Sequence, residues 1–242
     1  ELLNRSLETI DQEKPYISVV GGGATGIQFL FEIAHFIKRK KMECGLRLIH
    51  SSERVLQQFP EGFSEYTEAR MSNLDIDFQQ NTYYQEQAEN KIFLKSKETK
   101  KEFELPSKIT LLFLGNNPGK ILSANTFGQV IINNQPIRNI FIAGDCSNYD
   151  SCGSNTMSAQ SSVRKGRLAA CNILRDSSIL KIFEPYLHQD LGYVISLGPK
   201  DAVGWLAVEN NVVGGTPALL LKETVESQYD LLLATGIDTY LM

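Results

Sequence analysis

The stretch YISVVGGGATGIQFLFEIA, residues 16–34, decides the fold of this chain. Its first five residues are apolar and rich in β-branched side chains, which predicts a buried parallel strand. From Ile27 to Lys41 the apolar residues at 27, 30, 31, 34 and 37 mark one face of a helix. Residues 46–49, LRLI, predict a second strand. Strand, glycine loop, helix and strand make a βαβ unit, so the sequence predicts an α/β fold with a parallel sheet.

A glycine-rich turn lies between that strand and that helix and consists of Gly21, Gly22, Gly23, Ala24, Thr25 and Gly26. Because glycines are common, a loose GxGxxG pattern is informative only in this strand-to-helix context. The first glycine permits a tight turn, the second lets the backbone approach a pyrophosphate, and the third allows close helix–strand packing. The helix N-terminus offers free N–H groups and a positive dipole end to phosphates. The pattern therefore predicts a Rossmann-like dinucleotide site, and the alternative is a glycine turn with a purely structural role.

The end of the second strand bears on the choice between NAD and NADP. A fold that prefers NAD usually places Asp or Glu there, to accept hydrogen bonds from the ribose. Here His50 stands at that point, followed by Ser51, Ser52, Glu53 and Arg54. Without the carboxylate a 2′-phosphate is not repelled, and His50, Ser51 and Arg54 are candidates to bind it, which favours tolerance of NADP. Alternatively, Glu53 serves the ribose from one turn later.

The remaining sequence predicts a multi-domain organisation. Around residues 91–95 and 101–105 apolar and polar residues alternate, as in an exposed antiparallel meander. A final helix is expected near residues 218–229. The predicted segments are a leading helix at 1–13, a nucleotide-binding domain at 14–118, a second domain at 119–180, and a C-terminal α+β region at 181–242.

Composition and charge exclude several classes of protein. The net charge of −4 and pI near 5.5 leave no basic surplus for a nucleic-acid partner. Apolar stretches such as Ile109–Leu114 are too short to span a bilayer. The three histidines are too scattered for a metal site. The four cysteines lack CxxC spacing, which favours free thiols in a reducing, cytoplasmic compartment over a redox pair of Cys146 and Cys152.

A second motif, NIFIAGD at residues 139–145, predicts a strand that delivers Asp145, after Gly144, to a loop. There a carboxylate can accept hydrogen bonds from the sugar-alcohol chain of a flavin. A helix is expected to begin close by, and its first residues are Met157, Ser158, Ala159 and Gln160. Its N-terminal dipole would favour the negative charge of a reduced flavin ring.

Together these motifs resemble the pyridine nucleotide–disulfide oxidoreductase superfamily, with the closest likeness to type II NADH dehydrogenases. The residues that carry the resemblance are 17–34, 47–59, 111–118, 139–147, 158–173 and 186–204. The resemblance implies binding of NAD or NADP and of FAD, with hydride passing from NAD(P)H to the flavin and on to an acceptor, for which a quinone is one candidate. It also implies cofactor contacts for Gly115 and for Gln28, which stands where the family often has Glu near the nicotinamide. It implies no acid–base residue, since the cofactors carry the chemistry.

The chain departs from the family in ways that shape the expected function. It has one glycine fingerprint where the family has two, so we expect a fragment that lacks the first flavin-binding βαβ unit and keeps, at 119–180, the C-terminal part of the FAD-binding domain. Such a fragment is expected to be inactive alone and to self-associate into a homo-oligomer. Arg164 and Lys165 replace glutamines that border the flavin and quinone site. The tail has no basic aromatic face, so membrane contact is at most peripheral, at the inner face. The alternative is a module that binds or senses NAD(P)H without turnover.

Overall fold

The computed structural model describes residues 14–115, 119–178, 182–190, 192–206 and 208–236. The predicted leading helix at 1–13 lies outside the described residues. The helices are α1 (Ala24–Lys40), α2 (Glu61–Ser72), α3 (Ala159–Asp176) and α4 (Thr216–Thr235). The strands are β1 (Tyr16–Val20), β2 (Gly45–Ile49), β3 (Asp77–Gln79), β4 (Thr82–Ala88), β5 (Lys91–Ser96), β6 (Glu102–Pro106), β7 (Ile109–Leu112), β8 (Leu122–Asn125), β9 (Gln129–Ile132), β10 (Gln135–Phe141), β11 (Ser147–Asp150), β12 (Gly192–Ser196), β13 (Ala202–Leu206) and β14 (Val208–Gly214).

The described chain forms two compact units, one of residues 14–115 with 192–236 and one of residues 119–190. The break near residue 115 falls close to the predicted end of the nucleotide-binding domain. From Gly192 onward the chain packs with the first unit, whereas the sequence places 181–242 in a region of its own. The functional division into domains stays a prediction.

The first unit is built on a parallel sheet in the order β3-β2-β1-β7. The predicted βαβ unit is present, since α1 links β1 to β2. Ile17 and Val19 of β1 pack with Ile27, Leu30 and Phe31 of α1, and all five are fully buried. Burial of each such side chain contributes about 1.5–3 kcal/mol, which fixes α1 against the sheet. The predicted α/β fold with a parallel sheet is confirmed.

The predicted meander is also confirmed as an antiparallel sheet of β4, β5 and β6. Ile92 and Leu94 of β5 point inward and are fully buried, which matches the alternation in the sequence. On the other face Lys91 pairs with Glu104. The Lys/Glu-rich stretch therefore forms a solvated hairpin.

The C-terminal part of the first unit is an antiparallel sheet, β12-β13-β14, followed by α4. Ile195, Leu197 and Val203 join the same core as α1 and the parallel sheet. The buried Asp201 accepts hydrogen bonds from Tyr66 and Arg70 of α2, which fastens the hairpin to that helix. Among the described residues, no helix has both the length and the apolar character that a membrane span requires.

The second unit contains α3 and a sheet in the order β10-β9-β8-β11, in which β8 and β11 run parallel. The predicted strand over 139–145 is wrong in its extent, because β10 ends at Phe141. The chain then turns through Gly144, whose φ of +76° is incompatible with a continuing strand. The Ser147 N–H donates to the Gly144 carbonyl across 3.1 Å and closes the turn.

Candidate functional site

Two glycines of the loop between β1 and α1 lie so close to backbone atoms that any side chain in their place would force the backbone to move. Gly21 has φ of +114°, and a Cβ atom there would lie 2.1 Å from the carbonyl oxygen of Phe113. A Cβ atom at Gly26 would lie 1.9 Å from the carbonyl oxygen of Gly21. The first and third glycines of the fingerprint therefore allow the tight turn and the close helix–loop packing that the sequence predicts.

The middle glycine of the fingerprint, Gly23, faces open space at the N-terminus of α1. It is the N-cap of that helix, with ordinary angles of φ −78° and ψ 177°, and no side chain caps the helix end. A Cβ atom at Gly23 would meet only the side-chain nitrogen of Gln58, at 4.0 Å. The first turn carries no acidic residue, so nothing repels an anion from the N–H groups of Ala24 and Thr25. The open space next to Gly23 therefore fits the pyrophosphate of a dinucleotide.

His50 lies directly beneath this loop. Its Nδ1 accepts a hydrogen bond of 3.1 Å from the backbone N–H of Gly22, so Nδ1 is unprotonated. Burial lowers the pKa of His50 by more than a hydrogen bond to the backbone of Arg54 raises it, and the positive charge of Lys97 lowers it further. The imidazole is consequently neutral at pH 7 and supports the loop from below. The sequence places His50 at the ribose or at a 2′-phosphate, and that role stays a prediction.

Arg54 is held by the segment that follows β2. Its guanidinium donates to Ser64 Oγ at 2.6 Å and to the carbonyl oxygens of Gln57 and Phe59. These bonds order the turn between β2 and α2. Ser51, beside His50, is half-buried, and its predicted contact with the nucleotide remains a prediction.

Two further predicted contacts lie in the first unit. Gly115 follows β7 with φ of +83°, and an added Cβ atom would meet no atom within 4 Å. Because β7 runs parallel to β1, Gly115 leaves the sheet at the same edge as the glycine loop. Gln28 lies half-buried, one turn into α1. The structure thus brings Gly21–Gly26, Gln28, His50 and Gly115 to the carboxyl edge of one parallel sheet.

In the second unit, Asp145 lies next to the first turn of α3. Its Oδ1 accepts a hydrogen bond of 2.7 Å from Ser162 Oγ, and the side chain is exposed. Gly144 borders open space, since an added Cβ atom there would meet nothing within 4 Å. These features fit a carboxylate that reaches the polyol chain of a flavin.

The predicted flavin-side helix residues sit where α3 begins. Ser158 is the N-cap and its hydroxyl accepts from the Ser161 N–H at 3.1 Å. Met157 and Ala159 are exposed, and Gln160 is half-buried. The end of the helix is therefore accessible beside Asp145, although Ser158 already satisfies one of its N–H groups.

A polar cluster at this helix end centres on Asp190, a residue that the sequence did not single out. The carboxylate of Asp190 accepts hydrogen bonds from the hydroxyls of Ser154, Thr156 and Ser158. Burial alone would raise the pKa of Asp190, but hydrogen bonds from His188, Ser154 and Thr156 lower it to about 2. The run of hydroxyl residues at 154–158 is a visible signal, whereas nothing in the sequence pairs it with a residue more than thirty positions later.

Lys165 lies in the interior of the second unit. Its side chain is buried, its Nζ donates to the Ser147 carbonyl at 3.1 Å, and it lies 5.1 Å from the ring centre of Tyr149. Burial lowers the pKa of this ammonium group. Lys165, which stands where the resemblance implies a glutamine, is therefore part of the buried core of the second unit. Cys146 and Cys152 are both exposed free thiols.

Solved structures share this fold. NDH2 from Plasmodium falciparum in complex with NADH superposes with a TM-score of 0.72 at 17% identity, over 88% of this chain and 62% of that chain. The complex of that protein with RYL-552 gives a TM-score of 0.71 with the same identity and coverage. Ferredoxin reductase of the CYP199A2 system from Rhodopseudomonas palustris gives 0.62 at 18% identity, over 84% of this chain and 48% of that chain. At such identities the likeness concerns the fold, and this chain spans about three fifths of NDH2.

The sequence itself matches a family. The match covers residues 4–166, more than half of the chain, and includes the glycine loop, Asp145 and the start of α3. The chain belongs to the pyridine nucleotide-disulphide oxidoreductase family.

Proposed function

We propose that this chain binds NADH or NADPH through its glycine loop and is the nucleotide-binding part of a flavin-dependent NAD(P)H oxidoreductase. One observation carries the proposal. Gly21 and Gly26 fix the loop by contacts that leave no room for a Cβ atom, while Gly23, at the uncapped N-terminus of α1, borders open space. A loop with only a structural role does not need this open position.

The chain's own residues would bind and orient the coenzyme. The N–H groups at the start of α1 would donate to the pyrophosphate. Nδ1 of His50 would keep the Gly22 amide in position by accepting its hydrogen bond. Gly115, with open space around it, would lie beside the nicotinamide half. When bound, the flavin supplies the hydride-accepting chemistry, and the protein contributes orientation and electrostatics.

We propose that the coenzyme site accepts both NADH and NADPH. A neutral His50 offers no positive charge to a 2′-phosphate at pH 7, and Arg54 already donates to Ser64 and two carbonyl groups. No carboxylate follows β2 directly, and the first one after it, Glu53, is exposed, so repulsion of that phosphate is weak. The two affinities should accordingly differ little.

On the flavin side, exposed Asp145 and the start of α3 support part of an FAD site. The electron acceptor would be a quinone or another carrier. Because Lys165 is buried in the core, its presence does not argue against a quinone.

We further propose a cytoplasmic, self-associating protein, with at most peripheral membrane contact. Leu220 and Leu233 of α4, which are 63% and 66% exposed, support the self-association.

A module that binds NAD(P)H without turnover is the second candidate, because the open position at Gly23 accounts for nucleotide binding without any contact to a flavin. The visible spectrum of the purified chain separates the two functions. A flavoenzyme absorbs in the visible range and loses that absorbance when NADH is added. A colourless chain that still binds NADH would support the binding module.

A further inference from the structure

A cleft of about 760 Å³ lies between the second half of α1 and the turn that joins β12 to β13. Ile33 and Phe36 provide apolar lining from α1, and Pro199 provides it from the turn. The volume lies within the range of small-molecule sites, which are mostly apolar with a few polar groups.

Three cations line the cleft, Lys38 and Arg39 from α1 and Lys200 from the turn. Among the described residues, none of them forms an ion pair, although Glu32 lies on the same wall. The guanidinium of Arg39 lies 5.8 Å from the ring centre of Phe36. The cleft therefore joins an aromatic surface to three positive charges, of which Glu32, the one carboxylate among its described lining residues, offsets one.

The two walls of the cleft are fixed to each other. Gly198 has φ of +87°, and a Cβ atom there would lie 2.1 Å from Cδ2 of His35, so the turn packs closely on α1. Behind this contact Ile33, Ile195 and Leu197 belong to one buried core. A cleft built on such a core is preformed, which reduces the entropy that a ligand must overcome on binding.

Cations at the end of a helix also offset its dipole, and this accounts for Lys38 and Arg39 without any ligand. It does not account for Lys200, which comes from another element and faces the same cleft. The site is also separate from the glycine loop, because the helical rise of about 1.5 Å per residue puts Lys38 about 21 Å along α1 from Ala24.

We propose that this cleft binds a small organic anion in which a flat apolar ring carries a phosphate, sulfonate or carboxylate group. The ring would lie against Phe36, and the anionic group would meet Lys38, Arg39 and Lys200. This site is additional to the dinucleotide site and does not depend on it.

The test is a calorimetric titration of the whole chain with 1-naphthyl phosphate at low ionic strength, where surface charges are least screened. We expect saturable binding that Lys200→Glu weakens at least about tenfold, a change of about 1.4 kcal/mol. Lys101→Glu is the matched control, since this exposed lysine on the β5–β6 turn undergoes the same charge reversal. The control should stay within about twofold of the unaltered chain.

Three outcomes would overturn the proposal. The first is the absence of saturable binding up to about 1 mM 1-naphthyl phosphate, which corresponds to a negligible affinity. The second is equal weakening by Lys200→Glu and Lys101→Glu, because it would indicate a diffuse charge effect. The third is binding that Gly23→Ala abolishes and Lys200→Glu leaves intact, because it would locate the anion at the glycine loop.

Discussion

Two glycines of the same loop should respond differently to the addition of one methyl group, since Gly26→Ala should lose stability and Gly23→Ala should lose only affinity for NADH. At Gly26 the new Cβ atom would lie 1.9 Å from the Gly21 carbonyl oxygen, and that neighbour is backbone, so the loop must move. Such overpacking costs about 3 kcal/mol, or a fall of about 10 °C in the melting temperature of a chain of this size. We expect Gly26→Ala to unfold early and to bind NADH weakly as a consequence.

At Gly23 the methyl group meets no protein atom closer than 4.0 Å, and the backbone angles suit alanine. The change in stability should therefore stay within about 1 kcal/mol, because alanine caps a helix slightly worse but also restricts the unfolded chain. The methyl group would, however, enter the space that the pyrophosphate needs. We expect Gly23→Ala to lower the affinity for NADH at least about tenfold, or about 1.4 kcal/mol.

The assay pairs thermal unfolding by circular dichroism with calorimetric titration of NADH. Gly166→Ala on α3 is the control, since its Cβ atom would meet no atom within 4 Å and it lies outside the loop. It should leave NADH affinity unchanged. The reasoning is refuted if Gly23→Ala melts like the unaltered chain and also binds NADH within about twofold of it.

Three further predictions concern charged and titratable groups. The folded-state pKa of His50 lies below the ordinary histidine pKa near 6.5, so the chain should lose stability as the pH falls below 6.5. His50→Gln should remove most of this loss, as measured by melting curves between pH 7.5 and 5. Asp190 has a pKa of about 2, so it contributes stability that is present above its ordinary pKa of 3.8 and is lost as the pH falls through 2. Asp190→Asn should therefore lower the melting temperature at pH 7 and make it less sensitive to acid. An unchanged melting temperature would contradict this. Arg54→Met should lower the melting temperature, because its hydrogen bonds to Ser64 and the β2–α2 turn are lost. The ratio of NADPH to NADH affinity should stay within about threefold of that of the unaltered chain. A shift of this ratio by about tenfold toward NADH would instead identify Arg54 as a 2′-phosphate ligand.

The first βαβ unit could be predicted from sequence because its signals are local. The β-branched run of β1 and the helical spacing in α1 each specify an element, and the glycines between them match the conformations observed. The meander was likewise predictable from alternation. These elements need no knowledge of distant residues.

The sequence-based predictions are wrong or incomplete where contacts between distant residues determine the structure. The run at 139–145 predicts a strand through to Asp145, yet the strand observed there, β10, ends at Phe141 at the edge of its sheet. His50 is placed correctly after β2, but its role as acceptor for the Gly22 amide depends on a close approach across the sheet. Asp190 joins a hydroxyl cluster far away in sequence, which no local pattern encodes.

The central claim is that the glycine loop binds the pyrophosphate of NAD(P)H. Backbone amide chemical shifts of the labelled chain, recorded by NMR as NADH is added, test it most directly. The account predicts that the largest shift changes fall on the amides from Gly22 to Gly26, at the loop and the start of α1. Binding that leaves these amides unchanged while others shift would contradict it, as would the absence of any change at saturating NADH.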